Sequence, residues 1–192
     1  MKPALFLDKD GTLVKDVPYN GNPDLLEFSD DVLPGLASVQ AVGFSLFVVS
    51  NQPGVALGYF EEHQLGAIKD TLTLMMHGEG LILEDCYFCP HRSDATVSHY
   101  RRECTCRKPK PGMLLAAAQK HSIALKKSWM IGDILDDVEA GKRAGCRTVL
   151  IDNGNETEWR LDQRERTPDF IATSVNEACQ IVLTHRHIWE MG

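Results

Sequence analysis

The feature that most restricts this chain is an alternation. Short apolar runs with strand character are each followed by a polar break and a segment of helical spacing. Ala4 to Leu7, Phe44 to Val49, Leu81 to Phe88, Ser128 to Ile131, Cys146 to Ile151 and Phe170 to Ala172 read as strands. Between them, apolar residues recur at helical intervals from a cap at Asp30 or Asp31 to a stop at Gly43. The same spacing runs from Glu61 to His77, closed by Gly78, from Gly112 to His121, and from Leu135 to Ala144, stopped by Gly145. Ser174 to His185 ends the series, with Ser174 as cap and Glu177 completing a capping box. Strands alternating with helices predict an α/β fold, a doubly wound and mostly parallel sheet covered on both faces. With 192 residues and 43% hydrophobic content, residues 1–192 are expected to form a single domain. In such sheets ligands gather beyond the carboxyl ends of the strands. Asp8, Ser50 and Asp133 occupy those ends, each directly after an apolar run.

The first strand runs into D-K-D-G-T, which sets the carboxylates Asp8 and Asp10 on either side of Lys9. The plainer reading is a turn, since Asp-Gly is a common turn pair. That reading weakens once the other strand ends are added. Ser50 offers a hydroxyl, Lys108 lies in C-R-K-P-K-P-G, and Asp133 lies in G-D-I-L-D-D. A nucleophilic carboxylate, a second carboxylate, a hydroxyl, a lysine and a metal-binding acid form a set for phosphoryl transfer through an aspartyl-phosphate. A carboxylate is already ionised at neutral pH, so Asp8 needs no base to attack phosphorus. Converging carboxylates need a compensating cation, and hard oxygen ligands at a partly open site suit Mg²⁺.

D-K-D-G-T, V-V-S-N-Q, C-R-K-P-K-P-G and G-D-I-L-D-D occur in this order, and from residue 4 to about 150 the chain resembles the haloacid dehalogenase superfamily of phosphatases. The resemblance implies a Rossmann-like form of the doubly wound sheet. It implies Asp8 as nucleophile, Asp10 as general acid/base, and Ser50 and Lys108 as stabilisers of the transferring group. It further implies Asp8, Asp10 and Asp133 around Mg²⁺, with Asp10 giving its backbone carbonyl, and Asp137 as an outer or weaker metal contact.

The stretch from Cys89 to Pro111 has no periodicity and is dense in Cys, His and Arg. Cys89, His91, Cys104 and Cys106 form two short ligand pairs, and three thiolates with one imidazole suit tetrahedral Zn²⁺. The competing readings are chance thiols or a disulfide. Four protein ligands leave no open position, so this zinc is expected to be structural. Its task would be to order a loop, within residues 89–106, that cannot bury enough apolar surface itself. Cys86, Cys146 and Cys179 lie in apolar contexts and read as core thiols. His63, His77, His99, His121, His185 and His187 show no ligand spacing and read as surface or capping residues.

C-P-H followed by C-T-C-R-K-P-K-P-G-M-L resembles, within that superfamily, the heptose-bisphosphate phosphatases and the similar histidinol-phosphate phosphatases. This resemblance implies a small phosphorylated sugar as substrate, and the short spacing between Ser50 and the Cys-His loop leaves no room for a large cap domain. It implies substrate contacts from Asp16 to Tyr19, from Asn51, Gln52 and Pro53, and from Arg107. One position departs from it: Ile134 stands where some heptose enzymes carry a lysine after Gly-Asp. A non-catalytic phosphosugar-binding zinc module would not need both Asp8 and Asp10. A phosphotransferase or mutase would need a cap to exclude water.

The net charge of −7 argues against a nucleic-acid surface. No apolar run approaches the ~20 residues that span a membrane, and Met1-Lys2-Pro3 leads into no secretory h-region. A cytoplasmic monomer without nucleic-acid or membrane partners is the expectation.

Overall fold

The computed structural model describes residues 1–186. His187 and the remainder of the expected domain lie outside the described residues. The elements are β1 (Ala4–Leu7), α1 (Val32–Ala41), β2 (Ser45–Asn51), α2 (Pro53–Leu57), α3 (Gln64–Gly78) and β3 (Leu83–Cys89). They continue with α4 (Gly112–His121), β4 (Trp129–Gly132), α5 (Leu135–Ala144), β5 (Arg147–Ile151), β6 (Phe170–Ala172) and α6 (Val175–His185). The strands form one sheet in the order β3-β2-β1-β4-β5-β6, and every pairing is parallel. The sheet is therefore wholly parallel where the sequence predicted mostly parallel.

The strands read as unbroken apolar runs because both faces are buried. Side chains alternate between them. Leu5, Leu7, Val48 and Ile131 share one core with Leu36 of α1, Ile68 of α3 and Val182 of α6. Phe6, Phe47, Val49 and Met130 share the other with Leu114 of α4 and Ala140 of α5. From β1 the chain winds outward through β2 to β3, then returns and winds the opposite way through β4 to β6. The reversal opens a crevice at the carboxyl ends of β1 and β4. Leu7 pairs with Ile131, and the Asp8 amide donates to the Ile131 carbonyl at 2.9 Å, so Asp8 and Asp133 emerge level with each other.

Some local expectations change. β2 runs on to Asn51, so Ser50 is still within the strand. The N-Q-P-G-V-A-L-G stretch, which lacks helical spacing, contains α2; Pro53 opens it and Gly58, at φ 79°, ends it. Asp31 precedes α1 in a left-handed conformation (φ 57°) and makes no side-chain cap bond. Ser174 does cap α6, accepting from the Glu177 amide at 3.2 Å. Glu177 reaches one residue further back than a capping box requires, to the Thr173 amide at 2.7 Å. Cys86, Cys146 and Cys179 are buried as expected. His121 and His185 are not simple surface residues. His121 Nε2 is 3.2 Å from Asp85 Oδ2, and the His185 ring packs on Phe170 at 4.5 Å.

Candidate active site and metal centres

Asp8, Asp133 and Asp137 offer carboxylate oxygens that all lie within 4.8 Å of one another, and all three residues are buried. Gly11 and Gly132 make this close approach possible. A side chain at Gly11 would come within 2.2 Å of Asp133 Oδ2, and its φ of +77° disfavours other residues. A side chain at Gly132 would come within 2.2 Å of Asp137 Oδ2.

Lys108, only 2% exposed, reaches into this cluster. Its Nζ donates to Asp8 Oδ1 at 2.5 Å and to the Val49 carbonyl at 2.8 Å, and lies 2.6 Å from Asp137 Oδ1. The Asp137 contact is an ion pair without hydrogen-bond direction, which leaves Oδ1 free of a directed donor. Burial opposes the charge on Lys108, but Asp137 and Asp8 outweigh it and hold the ammonium protonated. Asp133 is pushed up to about 6 by burial and by Asp8. Burial likewise raises Asp137, against the pull of Lys108. One lysine thus does not balance three acids, and a divalent cation with oxygen ligands fits this excess. Asp8 and Asp133 are the candidate carboxylate ligands.

The Asp10 carboxylate stands outside the cluster. Lys9 Nζ donates to its Oδ1 at 2.5 Å and Gln52 Nε2 to its Oδ2 at 3.0 Å. Burial raises its pKa, Lys9 opposes the shift, and Asp8 adds to it. Gln52 Nε2 also donates to Ser50 Oγ at 3.0 Å, so one amide joins the second carboxylate to the hydroxyl. Asn51 clamps the Lys108 peptide: its Nδ2 donates to the Lys108 carbonyl at 3.0 Å, and its Oδ1 accepts from the Lys108 amide at 2.9 Å.

A cavity of about 320 Å³ opens over Asp8, with Ser50, Lys108, Asp133 and Ile134 in its walls. A neighbouring cavity of about 310 Å³, lined by Tyr19, Gln52 and Pro53, shares Asp10, Asp16 and Asn51 with it. Tyr19 has φ 53° and packs its ring on Tyr59 at 4.8 Å. Of the expected substrate contacts, Val17 lines neither cavity and Arg107 is elsewhere. Its guanidinium donates to the His91 carbonyl at 3.3 Å, and it lines a third cavity, of about 530 Å³, between the cysteine-rich loop and α5. No cap domain is inserted among the described residues.

Cys89, His91, Cys104 and Cys106 converge. Sulfur–sulfur separations are 3.6 Å for Cys89–Cys104, 3.3 Å for Cys104–Cys106 and 2.8 Å for Cys89–Cys106. His91 Nδ1 is 3.4 Å from Cys106 Sγ and 3.8 Å from Cys89 Sγ. A tetrahedral zinc with Zn–S near 2.3 Å sets ligand edges of roughly 3.8 Å, so the donor set fits after a small expansion. Gly112 lies so close behind this loop that a side chain there would come within 2.3 Å of the Thr105 carbonyl.

Residues 153–169 carry none of the four motifs, yet Asn155 Nδ2 donates to Asp133 Oδ2 at 2.6 Å and lines the Asp8 cavity. Asn153-Gly154-Asn155 has the composition of a turn, which does not say what the turn faces.

Comparison with known proteins shows the family and the fold. The family model described as HAD-hydrolase-like matches residues 105–178. The D-glycero-β-D-manno-heptose-1,7-bisphosphate 7-phosphatase of Photorhabdus laumondii is 38% identical over 84% of this chain and 86% of its own. The enzyme of the same name from Escherichia coli K12 is 36% identical over 88% and 93%. A HAD-like phosphatase structure from Mesorhizobium loti superposes with a TM-score of 0.81 at 29% identity, over 97% of this chain and 87% of that one. The D,D-heptose 1,7-bisphosphate phosphatase of B. bronchiseptica, complexed with magnesium and phosphate, has the same fold. Its TM-score is 0.76 at 24% identity, over 95% of this chain and 99% of that one.

Proposed function

The chain belongs to the haloacid dehalogenase-like phosphatases, and we propose that within this family it hydrolyses the 7-phosphate of D-glycero-D-manno-heptose 1,7-bisphosphate. The observation that carries the chemistry is the placement of Asp8 at the crevice between β1 and β4, bonded to the buried Lys108 at 2.5 Å. The sugar rests on the relatives that bear that name and on the resemblance carried by the C-P-H and C-T-C-R-K-P-K-P-G-M-L motifs.

In the proposed reaction an Asp8 oxygen attacks phosphorus and forms an acyl phosphate, while the bond to the sugar oxygen breaks. Asp10 gives its proton to that leaving oxygen. The raised pKa of Asp10 suits a group that must hold a proton. Asp10 then takes a proton from water, the water oxygen attacks phosphorus, and the bond to Asp8 breaks, releasing phosphate. Lys108 and the Ser50 hydroxyl orient and offset charge on the transferring oxygens. Asp8, Asp133 and the Asp10 backbone carbonyl would hold Mg²⁺, which when bound lowers the repulsion between Asp8 and the phosphate. The cysteine-rich loop would hold a structural zinc. We take the protein as a cytoplasmic monomer.

Ile134 in the wall of the Asp8 cavity supports a second reading. Without a cation at that position, a substrate carrying a single phosphate, such as histidinol phosphate, fits as well. The deciding experiment compares kcat/KM for both anomers of the heptose bisphosphate with that for histidinol phosphate and fructose 1,6-bisphosphate. A clear preference for one heptose anomer is expected. A preference for histidinol phosphate would replace the sugar assignment, and a flat profile would leave a general phosphatase.

A further inference from the structure

The chain leaves β5 at Ile151 and reaches β6 only at Phe170. The start of this excursion folds back over the acid cluster. Asn153 Nδ2 donates to the Gly11 carbonyl at 2.9 Å, and its Oδ1 accepts from the Asn155 amide at 3.1 Å. The Asn153 side chain therefore both shapes the turn and ties it to the D-G-T loop. Glu156 anchors the other side, accepting from the Leu135 amide at 2.7 Å, at the start of α5. Asn155, held between these anchors, donates to Asp133 Oδ2 at 2.6 Å. Thr12 Oγ1 donates to the other oxygen at 3.3 Å.

We infer that Asn155 is a positioning residue for Asp133, fixing its carboxylate for a divalent cation. The inference rests on Asp133 being a Mg²⁺ ligand. The turn does not need the Asn155 bond to keep its place, because Asn153 and Glu156 already fasten it on both sides. The Asn155 amide is spent on the acid alone. Its neutrality matters, since a lysine or arginine there would cancel the negative charge that attracts the metal. A neutral amide restrains one oxygen and leaves that charge in place, as partners of metal-bound carboxylates do. The contact also explains the closeness of Gly11: a side chain there would come within 2.6 Å of Asn155 Nδ2 as well as meeting Asp133.

The test titrates the full chain with Mg²⁺ alone, by calorimetry, in the wild type, Asn155→Ala and Asn153→Ala. Asn155→Ala is expected to weaken Mg²⁺ binding about 10–100-fold, with the Tm measured without Mg²⁺ and the bound zinc unchanged. Its kcat should fall at limiting Mg²⁺ and recover as Mg²⁺ saturates. Asn153→Ala, which cuts the tie to Gly11 but keeps the Asn155 amide, should weaken binding less. Wild-type affinity in Asn155→Ala would overturn the inference. So would an equal loss in Asn153→Ala, which would mark the segment as a general structural support. A wild type that binds no Mg²⁺ would remove the ligand assignment of Asp133 itself, and the inference with it.

Discussion

At the scale of single residues, Asp8 and Lys108 are the pair on which the chemistry turns. Asp8→Asn keeps the shape of the side chain and removes the nucleophilic oxygen anion. Mg²⁺-dependent phosphate release should fall by several orders of magnitude, and activity near the wild-type level would remove Asp8 from its role. Lys108→Met tests a different property. It leaves Asp8 and Asp137 facing each other in a buried site without their shared cation. Breaking a buried ion pair from one side costs ~3–5 kcal/mol, so urea denaturation without Mg²⁺ should show a loss of that order. Added Mg²⁺ should recover part of it, because the cation offsets the same charges. Asp8, Asp133 and Lys108 were legible in the sequence because each follows an apolar run or a motif. The partners that hold them were not. Asn51 stands 57 positions from Lys108, and Asn155 stands 22 from Asp133. Local spacing carries no information about contacts that the fold makes at such range.

At the scale of elements, periodicity located every long helix and every strand, with shifts of a few residues at the ends. It missed α2, whose five residues are too few to show a helical period. It also missed how the edge of the sheet is secured. β3 is an edge strand, and Asp85 on it binds the helices of both faces. Its Oδ1 accepts from Lys69 of α3, and its Oδ2 accepts from Lys120 of α4 at 2.7 Å, beside His121 at 3.2 Å. Burial works against the charge on Asp85, yet the lysines and the Cys86 amide hold its pKa well below the usual carboxylate range. A depressed carboxylate pKa contributes stability that is present above the unfolded value near 3.8 and is lost as pH falls toward the folded value. Asp85→Asn should therefore lower stability at pH 7 and flatten the acid side of the stability profile. Lys69 and Lys120 remain substantially exposed and keep their hydration when the acid is removed. The expected cost is thus ~1–2 kcal/mol rather than that of a fully buried pair. Chemical denaturation from pH 3 to 7 would measure it, and parallel profiles for the two proteins would refute the assignment.

At the scale of the whole molecule, the cysteine-rich loop and the catalytic crevice meet at Lys108, two residues after Cys106. The loop buries little apolar surface of its own. Pro90 and Ala95 are its only buried aliphatic side chains, so metal ligands must supply its order. If zinc contributes ~3–5 kcal/mol, its removal should lower Tm on the order of 10 °C for a chain of this size. Zn²⁺, and not Mg²⁺, should restore it. Lys108 is held a second way, by the Asn51 clamp on its peptide, which anchors it to the end of β2. Two independent restraints on one residue make each removal alone tolerable and their joint removal costly. Cys104→Ser and Asn51→Ala should each leave measurable Mg²⁺-dependent turnover below their lowered melting temperatures. Together they should cost more than the sum of the single losses, with a coupling of ~0.5–3 kcal/mol in a double-mutant cycle on kcat/KM. Strict additivity would mean that the zinc loop supports the fold without steadying Lys108. A coupling of the expected sign would assign the loop a share in catalysis, although none of its four ligands lines the Asp8 cavity.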